Sequence, residues 1–301
     1  MENVAVLGGC GYLGSIITNE LVKQECTVDI IDNVIFSKEH AENCDFIEKD
    51  CLFDDISYDS YDKVVWCIDI DTEIFYTYPC SKNYVKKNVE KFKELCEMFG
   101  ENFYFVTENY DGNVTAYNDM LINKERIVNA NNSHIFCLPC LYGPSSRMRF
   151  DTEVNKMFMW AYNTGMLVIE NWVKKRVLCS VAVAGTYIAN YVATNRNDGG
   201  LNFIGTTYLS MAEISIVMNK VFEERLQIMY SDLSVNISNR EENVDWLDSG
   251  RHTLFDDMKY MYENVEGSIG DMSKDYYSNE NMLSSLDDKK NIFEFINKLK
   301  S

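Results

Sequence analysis

Basic side chains are scarce in this chain of 301 residues. It contains 28 Lys and Arg against 47 Asp and Glu, which gives a formal net charge of −19 at pH 7. Nucleic acids and anionic membrane surfaces both attract proteins through patches of Lys and Arg. The charge balance therefore predicts that neither nucleic acid nor a membrane is a partner of this chain.

Long apolar runs are also missing from this sequence, and we expect no leader sequence. No stretch of 18 consecutive apolar residues occurs, although 46% of the residues are hydrophobic, and a membrane-spanning helix needs about 20. The N-terminus has none of the features of a secretory signal peptide. We therefore expect a cytoplasmic protein in a reducing compartment, with enough apolar residues for one large domain or two closely joined ones.

Residues that bind metals are present but are not grouped. The ten cysteines show no paired spacing typical of a metal site, and the three histidines are far apart. Several cysteines lie within apolar runs, where Cys packs as a small hydrophobic residue. Cys137 and Cys140 form a C-x-x-C pair, but no helix N-terminus follows that would activate a thiol. The sequence predicts no metal site and no redox-active cysteine pair.

A short apolar run followed by three spaced glycines stands near the N-terminus. Residues 4–7 predict a buried strand, and the pattern of residues 12–23 predicts an amphipathic helix. Gly8 allows a tight turn between them, Gly11 lets the backbone approach a pyrophosphate, and Gly14 lets the helix pack closely on the strand. The helix N-terminus adds unpaired N–H groups and the positive end of its dipole. This pattern indicates a dinucleotide-binding turn.

An acidic residue follows the glycines at a suitable distance. The apolar run 27–31 predicts a second strand, which ends in Asp32, eighteen residues after Gly14. A carboxylate there can accept hydrogen bonds from an adenosine ribose, and it repels a 2′-phosphate. We therefore expect NAD rather than NADP as the cofactor. The alternative is a glycine-rich turn beside a surface Asp.

Strands and helices continue to alternate through the first half of the chain. Further strands are predicted at 46–48, 63–68, 102–106 and 135–138, and helices at about 83–99 and 117–130. This alternation predicts an α/β fold with a doubly wound parallel sheet, in which ligands bind beyond the carboxyl ends of the strands. After Pro144 the elements become shorter, which indicates a smaller second lobe, and a closing helix is predicted near 292–299.

These features resemble the extended short-chain dehydrogenases/reductases, the NAD-dependent epimerase/dehydratase group that acts on nucleotide sugars. The resemblance spans nearly the whole chain. Its landmarks are Gly8-Gly9-Cys10-Gly11-Tyr12-Leu13-Gly14, Asp32-Asn33, Asp50-Cys51, Asn88-Val89, Thr107, Tyr117, Leu141-Tyr142-Gly143-Pro144, Arg176 and Asn202-Phe203-Ile204-Gly205. We expect a Rossmann-type NAD-binding domain over residues 1–150, to which 176–205 return. A smaller α/β substrate-binding lobe would comprise 151–175 and 206–301.

The resemblance also implies roles for individual residues. Tyr117 would pass a proton to or from a sugar hydroxyl while nicotinamide carries the hydride. Thr107 would hydrogen-bond a substrate hydroxyl or carbonyl; the alternative is that it simply ends a strand. Glu108 stands at the family's Ser/Thr position, as a substrate contact or general acid/base, or else as a surface carboxylate. Arg176 would bind the diphosphate of a nucleotide sugar through its bidentate guanidinium. The residues implied to hold NAD are Gly8, Gly11, Tyr12, Leu13, Gly14, Asp32, Asn33, Asp50 and Cys51.

The catalytic motif of the family is incomplete in this chain. Four residues after Tyr117, the usual lysine is replaced by Leu121. In the family, the lysine ammonium lowers the pKa of the tyrosine, and a tyrosine with a pKa near 10 is only about 0.1% ionised at pH 7. Lys124 follows Tyr117 by seven residues, about 20° from the same helix face and about 10 Å further along. It is a candidate for the missing cation; the alternative is a solvated helix lysine.

Two functions remain open from the sequence. One is an NAD-dependent epimerase, dehydratase or reductase of nucleotide sugars, since these reactions share their opening step. The other is a catalytically weakened NAD-binding protein that serves as a sensor or assembly subunit. The resemblance also implies a homodimer through the helices at 83–99 and 117–130.

Overall fold

The computed structural model describes residues 2–33, 44–68, 81–108, 115–194, 200–204, 207–230 and 249–266. These residues divide into two compact units. Within the described ranges, the first unit comprises 2–137 and 185–203, and the second comprises 138–184 and 204–266. From the sequence we placed the first boundary at 150 and the return at 176; in the structure they fall after 137 and at 185.

A largely parallel sheet forms the centre of the first unit. Its strands are β1 (Asn3–Leu7), β2 (Thr27–Asp32), β3 (Asp45–Glu48), β4 (Lys63–Trp66), β5 (Phe103–Glu108), β6 (His134–Leu138) and β10 (Gly200–Phe203). Among the described residues the sheet has seven strands in the order β10-β6-β5-β4-β1-β2-β3. Strand β1 pairs in parallel with both β2 and β4, and the pairs β2–β3, β4–β5 and β6–β10 are also parallel. The predicted doubly wound α/β sheet is confirmed.

The strand order places a switch point between β1 and β4. From β1 the chain proceeds outward through β2 and β3, and it then crosses back to start again at β4 on the other side of β1. In sheets of this kind, ligands bind in the crevice beyond the carboxyl ends of the strands at the switch point. Gly8 directly follows β1, Asp32 ends β2 and Thr107 lies one residue before the end of β5. All three therefore lie at the same edge of the sheet.

Seven helices and one 3₁₀ turn accompany the strands within the described part of the chain. They are α1 (Gly14–Lys23), α2 (Ser81–Phe99), the 3₁₀ turn Gly100–Asn102, α3 (Thr115–Ala130), α4 (Glu153–Thr164), α5 (Val181–Ala193), α6 (Met211–Val221) and α7 (Ser249–Asn264). The helix α6 begins with a capping box, in which the Ser210 hydroxyl accepts from the Glu213 N–H and the Glu213 carboxylate accepts from the Ser210 N–H. The closing helix predicted near 292–299 lies outside the described residues.

Aromatic side chains fill the core on one side of the first unit's sheet. Phe92 of α2 packs edge-to-face against Trp66, Phe103 and Phe105, with ring centroids 4.8–5.2 Å apart. Such pairs contribute about 0.5–1.5 kcal/mol each beyond the apolar area that they bury. Leu121 of α3 packs against the same cluster.

Lys63 is a buried cation at the start of β4. It is only 1% exposed, although its position opens the apolar run predicted at 63–68. Its Nζ atom donates to a Glu2 carboxylate oxygen and to the carbonyl oxygen of Val192, both at 2.5 Å. Val192 lies in the last turn of α5, where carbonyl oxygens have no helical partner and cations are favourable. Lys63 thus joins β4 to the end of α5.

The second unit is built from short strands. They are β7 (Cys140–Tyr142), β8 (Met166–Ile169), β9 (Lys175–Ser180), β11 (Thr207–Ser210) and β12 (Gln227–Tyr230). Strand β9 pairs antiparallel with β11 and parallel with β7, and β8 pairs in parallel with β12. None of the described helices in either unit is long and apolar enough to cross a membrane.

A half-buried carboxyl group lies in the second unit, with its Oδ2 atom shielded from solvent. Asp257 of α7 lies against Gly143, where an added Cβ would be only 2.6 Å from Asp257 Oδ2. Burial raises the pKa of Asp257 to about 6; the Ser180 hydroxyl opposes this rise and the charge of Asp256 adds to it. Burial also raises the pKa of the Tyr142 phenol, and the charge of Asp257 raises it further. The folded chain therefore favours the protonated form of Asp257.

This burial predicts a pH dependence of stability. Because the pKa of Asp257 in the folded chain lies above its ordinary value of 3.8, protonation stabilises the folded form below about pH 4, and this stabilisation is lost as the pH rises through about 6. Asp257→Asn should raise the free energy of unfolding by about 1–2 kcal/mol at pH 7.5 and change it little at pH 4. Urea denaturation at both pH values measures this, and Glu266→Gln, which removes an exposed carboxylate just after α7, is the control. An equal effect of Asp257→Asn at the two pH values would contradict the assignment.

Candidate functional site

The glycine turn leads from β1 into α1 and is hydrogen-bonded to the end of β2. Gly8 has a φ of +79°, a conformation that residues with a side chain adopt only at a cost. Its N–H donates to the carbonyl oxygen of Ile31 at 2.9 Å, and the N–H of Gly11 donates to the carbonyl oxygen of Gly8 at 3.0 Å. These bonds hold the turn at the carboxyl edge of the two strands.

The helix α1 approaches this turn too closely for a side chain at its first residue. A Cβ on residue 14 would lie 2.2 Å from the carbonyl oxygen of Gly8 and 3.0 Å from Gly9 Cα. The close neighbour of Gly14 is therefore the turn itself rather than the strand. At Gly11 an added Cβ would meet, among the described residues, the Gly8 oxygen at 3.1 Å and nothing else within 4 Å. Within the described ranges, therefore, no other residue covers the turn at Gly11.

Asp32 is held against this turn. Its Oδ2 atom accepts a hydrogen bond from the N–H of Cys10 at 3.0 Å, because β1 and β2 are adjacent and parallel. The carboxylate is half-buried and lies at the edge where Gly8 turns toward α1. A negative acceptor is therefore fixed beside backbone N–H groups, which is the arrangement expected for a ribose next to a pyrophosphate.

Asn33 and Asp50 form a second hydrogen-bonded group at this edge. One Asp50 carboxylate oxygen accepts from the Leu52 N–H at 3.0 Å and the other from the Asn33 side-chain amide at 3.3 Å. The adjacent thiol of Cys51 is buried. Burial raises its pKa, the charges of Asp50 and Asp32 raise it further, and Lys124 opposes the rise. Cys51 is therefore a neutral packing residue.

The predicted catalytic residues lie at the end of β5 and the start of α3. Thr107 is 6% exposed and shares the sheet edge with Gly8 and Asp32. Tyr117 is in the first turn of α3 and Glu108 is the last residue of β5. The side chains of Tyr117 and Glu108 lie outside the described residues, so their proposed contacts remain predictions.

Lys124 occupies an aromatic cage in the core. It is only 2% exposed, and its Nζ atom lies 4.9 Å from the ring centroids of Trp66 and Phe92 and 5.0 Å from that of Phe105. An ammonium within about 6 Å of an aromatic face is attracted by the ring quadrupole, more strongly when desolvated. The alternative of a solvated helix lysine is therefore wrong. The three rings belong to β4, α2 and β5. The spacing of residues along α3 therefore could not predict that they surround Lys124.

Arg176 of the second unit is engaged by a carboxylate of the same chain. Its Nε atom lies 2.7 Å from Glu153 Oε2 and its Nη2 atom 3.0 Å from Glu153 Oε1, which is a bidentate pair. Four residues before Glu153 in the sequence, Arg149 also pairs with a carboxylate: its Nε atom lies 3.1 Å from both carboxylate oxygens of Asp151. The resemblance in the sequence implied that Arg176 binds a diphosphate. It did not predict the pairing of Arg176 with Glu153, because no local pattern links residues that are 23 positions apart.

No group of three or more His, Cys, Asp and Glu side chains that could hold a metal ion occurs in the part of the chain that the structure describes.

No protein-family model matches this chain, and no curated protein sequence does so either. Solved structures are similar to it. An epimerase from Methanothermobacter thermautotrophicus has a TM-score of 0.68 at 18% identity, over 88% of this chain and 93% of that one. The UDP-N-acetylglucosamine 4-epimerase of Bacillus cereus has a TM-score of 0.64 at 16% identity, over 89% and 100%.

A third similar structure contains ligands. The UDP-glucuronic acid 4-epimerase of Bacillus cereus, in complex with UDP-glucuronic acid and NAD, has a TM-score of 0.62 at 17% identity, over 76% of this chain and 85% of that one. At these identities the likeness shows the fold. The chain therefore has the fold of known nucleotide-sugar epimerases, as the resemblance in its sequence implied.

Proposed function

We propose that this chain binds NAD at its glycine turn and uses it in an epimerase, dehydratase or reductase reaction on a nucleotide sugar. One observation carries the proposal: the Asp32 carboxylate is hydrogen-bonded to the Cys10 N–H, inside a turn that leaves no room for a side chain at Gly14. Similarity of fold to epimerases, one of them solved with NAD and UDP-glucuronic acid, supports the same reaction class.

The residues at the sheet edge fit an adenine dinucleotide. The turn from Gly8 to Gly14, with Tyr12 and Leu13, and the N-terminus of α1 would hold the pyrophosphate through backbone N–H groups. Asp32 would accept hydrogen bonds from the adenosine ribose and repel a 2′-phosphate. Adenine would lie next to the group that comprises Asn33, Asp50 and Cys51. When bound, NAD supplies a hydride acceptor.

In this proposal, Tyr117 transfers a proton to or from a sugar hydroxyl. Thr107 would orient the sugar by a hydrogen bond from its hydroxyl, and Glu108 follows it at the end of the strand. The position four residues after Tyr117 is filled by Leu121, which packs into the core. Lys124 is a buried cation on this helix, and its charge would favour the ionised phenol from inside the aromatic cage.

Single-turnover reduction of NAD by a panel of UDP-, dTDP-, GDP- and CDP-sugars tests the proposal. One sugar class should produce NADH, and Tyr117→Phe should slow this step by about 100-fold or more, since general acid–base catalysis contributes 10²–10⁴. Tyr208→Phe is the matched control, because Tyr208 is an exposed tyrosine on β11. Equal rates in Tyr117→Phe and the unsubstituted protein would contradict the role of Tyr117.

A second candidate is an NAD-binding sensor or assembly subunit with weakened catalysis. The replacement of the motif lysine by Leu121 and the pairing of Arg176 with Glu153 favour it, because binding of NAD needs neither residue. In the same experiment it predicts tight NAD binding with no turnover of any sugar. Either form of the proposal includes a homodimer through α2 and α3, on which Met98 and Ile122 are exposed apolar residues.

A further inference from the structure

A carboxyl group stands in the face by which α7 docks on the second unit. The buried residues of this helix recur at helical spacing and form an apolar stripe, which comprises Leu254, Met258, Met261 and, just after the helix, Val265. Asp257 lies three residues after Leu254, at the edge of this stripe, and is half-buried. Burial penalises the charged form of a carboxyl group. Asp257 therefore places an ionisable group in the contact between α7 and the rest of the unit.

The structure makes room for this carboxyl group but surrounds it with neutral atoms. A Cβ on residue 143 would lie 2.6 Å from Asp257 Oδ2, so that the glycine there leaves the space that this oxygen occupies. The Oδ2 atom is shielded from solvent, and the fully buried side chains of Tyr142 and Ser180 lie beside the carboxyl group. Within the described ranges, the charge that acts on it is that of Asp256, which is also negative.

Cations on the neighbouring elements do not neutralise Asp257. The helix α7 packs against α6, β9 and β11. The charged side chains of these elements, with the other ones described on α7, are Lys175, Arg176, Glu213, Lys220, Asp256, Lys259 and Glu263. Arg176 is paired with Glu153 and Lys259 with Glu263, and Lys175 lies over the exposed ring of Tyr208. Among the described residues, the pKa of Asp257 responds to burial, to Ser180 and to Asp256, and to no cation.

We propose that Asp257 makes α7 a pH-sensitive latch, a helix that detaches more often from the second unit when this carboxyl group is ionised. While the group carries its proton, the helix stays docked on β9 and the Gly143 turn. The ionised carboxylate favours the open helix, in which Oδ2 reaches water. Because the ordinary pKa of 3.8 rises to about 6 in the docked helix, docking weakens as the pH rises from about 4 through about 6, and the effect levels off above about pH 7.

The opening is local, because the sheet of this unit does not depend on α7. Strand β9 pairs with β11 and β7 through backbone hydrogen bonds, and α7 contacts β9 and β11 without belonging to a ladder. Proteins open in separate cooperative segments, with lower free energies for peripheral elements than for core strands. Detachment of α7 therefore uncovers its apolar stripe and leaves the strand pairs in place.

Hydrogen exchange of the full-length chain at pH 5.0 and pH 7.5 tests the latch, with each rate divided by the intrinsic rate at that pH. Amides of residues 254–264 should be protected about tenfold less at pH 7.5, the change given by pKa values of 3.8 and about 6. In Asp257→Asn, which keeps the size of the side chain, protection should be the same at both pH values. Glu266→Gln, which removes an exposed carboxylate just after α7, should behave like the unsubstituted protein.

The outcomes of this experiment do not depend on the proposed function. A fall in protection that is confined to α7 and absent from Asp257→Asn supports the latch. Equal protection of α7 at the two pH values in the unsubstituted protein overturns it, and so does a fall that persists in Asp257→Asn. If α1 and α6 lose protection by the same factor as α7, the opening is global and the latch is likewise overturned.

Discussion

Gly14→Ala is expected to weaken the binding of NADH by about 100-fold. The added methyl group would lie 2.2 Å from the Gly8 carbonyl oxygen, and a backbone atom cannot rotate away as a side chain can. Relief of such overpacking costs about 1–3 kcal/mol or more, and each 1.4 kcal/mol changes an affinity tenfold. Because the turn itself must move, the substitution should lower the affinity for the dinucleotide. Fluorescence titration with NADH measures it.

Gly165→Ala is the matched control for this experiment. Gly165, at the end of α4, has a φ of +69°, a conformation that also favours glycine. No described atom lies within 4 Å of a Cβ added there, and the residue belongs to the second unit. The Gly165→Ala substitution should lower the free energy of unfolding by about 1–2 kcal/mol and leave the affinity for NADH unchanged. Unaltered NADH binding by Gly14→Ala would show that this turn does not hold the dinucleotide.

Lys124→Ala is expected to lower the free energy of unfolding by about 2–5 kcal/mol. The substitution removes a long side chain from among Trp66, Phe92 and Phe105 and leaves a cavity in the core, which costs about this much for other long side chains. Lys124→Met fills the same space without the charge and should restore most of the loss, since apolar replacements of buried ions are often neutral. Urea denaturation of both variants measures the difference.

The comparison between these two variants also separates packing from catalysis. Equal destabilisation by Met and Ala would contradict the packing argument and assign the stability to the ammonium itself. A fall in single-turnover rate in Lys124→Met, at full stability and full NAD affinity, would assign Lys124 to the proton-transfer step with Tyr117. Lys87→Met, on the exposed face of α2, controls for the loss of one positive charge.

Local patterns were sufficient to predict six of the seven described strands in the sheet of the first unit, but not β10. The runs that became β1 and β4 each contain consecutive apolar residues, the run that became β2 is interrupted only by Asp29, and glycine spacing placed the turn before α1. The short strands β7, β11 and β12 were missed, because runs of three or four residues carry little periodicity and depend on partners elsewhere in the chain. The helix α7 was also missed, since it stands in a stretch dominated by acidic and aromatic residues.

The candidate site was predictable only where it follows from such local patterns. Asp32 was selected by its distance from Gly14, and its bond to the Cys10 N–H follows from parallel pairing of adjacent strands. The surroundings of Lys124 and the partner of Arg176 arise from contacts between distant segments. The spacing along a helix can predict that Lys124 lies near the same helix face as Tyr117. It cannot predict that three aromatic rings surround the Lys124 ammonium.

The affinities of the protein for NAD and NADP test the central claim most directly. If the Gly8–Gly14 turn holds the pyrophosphate and Asp32 the ribose, calorimetry should show that NAD binds at least about 100-fold more tightly than NADP. Asp32→Ala should reduce that ratio to about tenfold or less, because it removes the repulsion between a half-buried carboxylate and the 2′-phosphate. No measurable affinity for NAD or NADH, or a clear preference for the 2′-phosphorylated forms, would contradict the account.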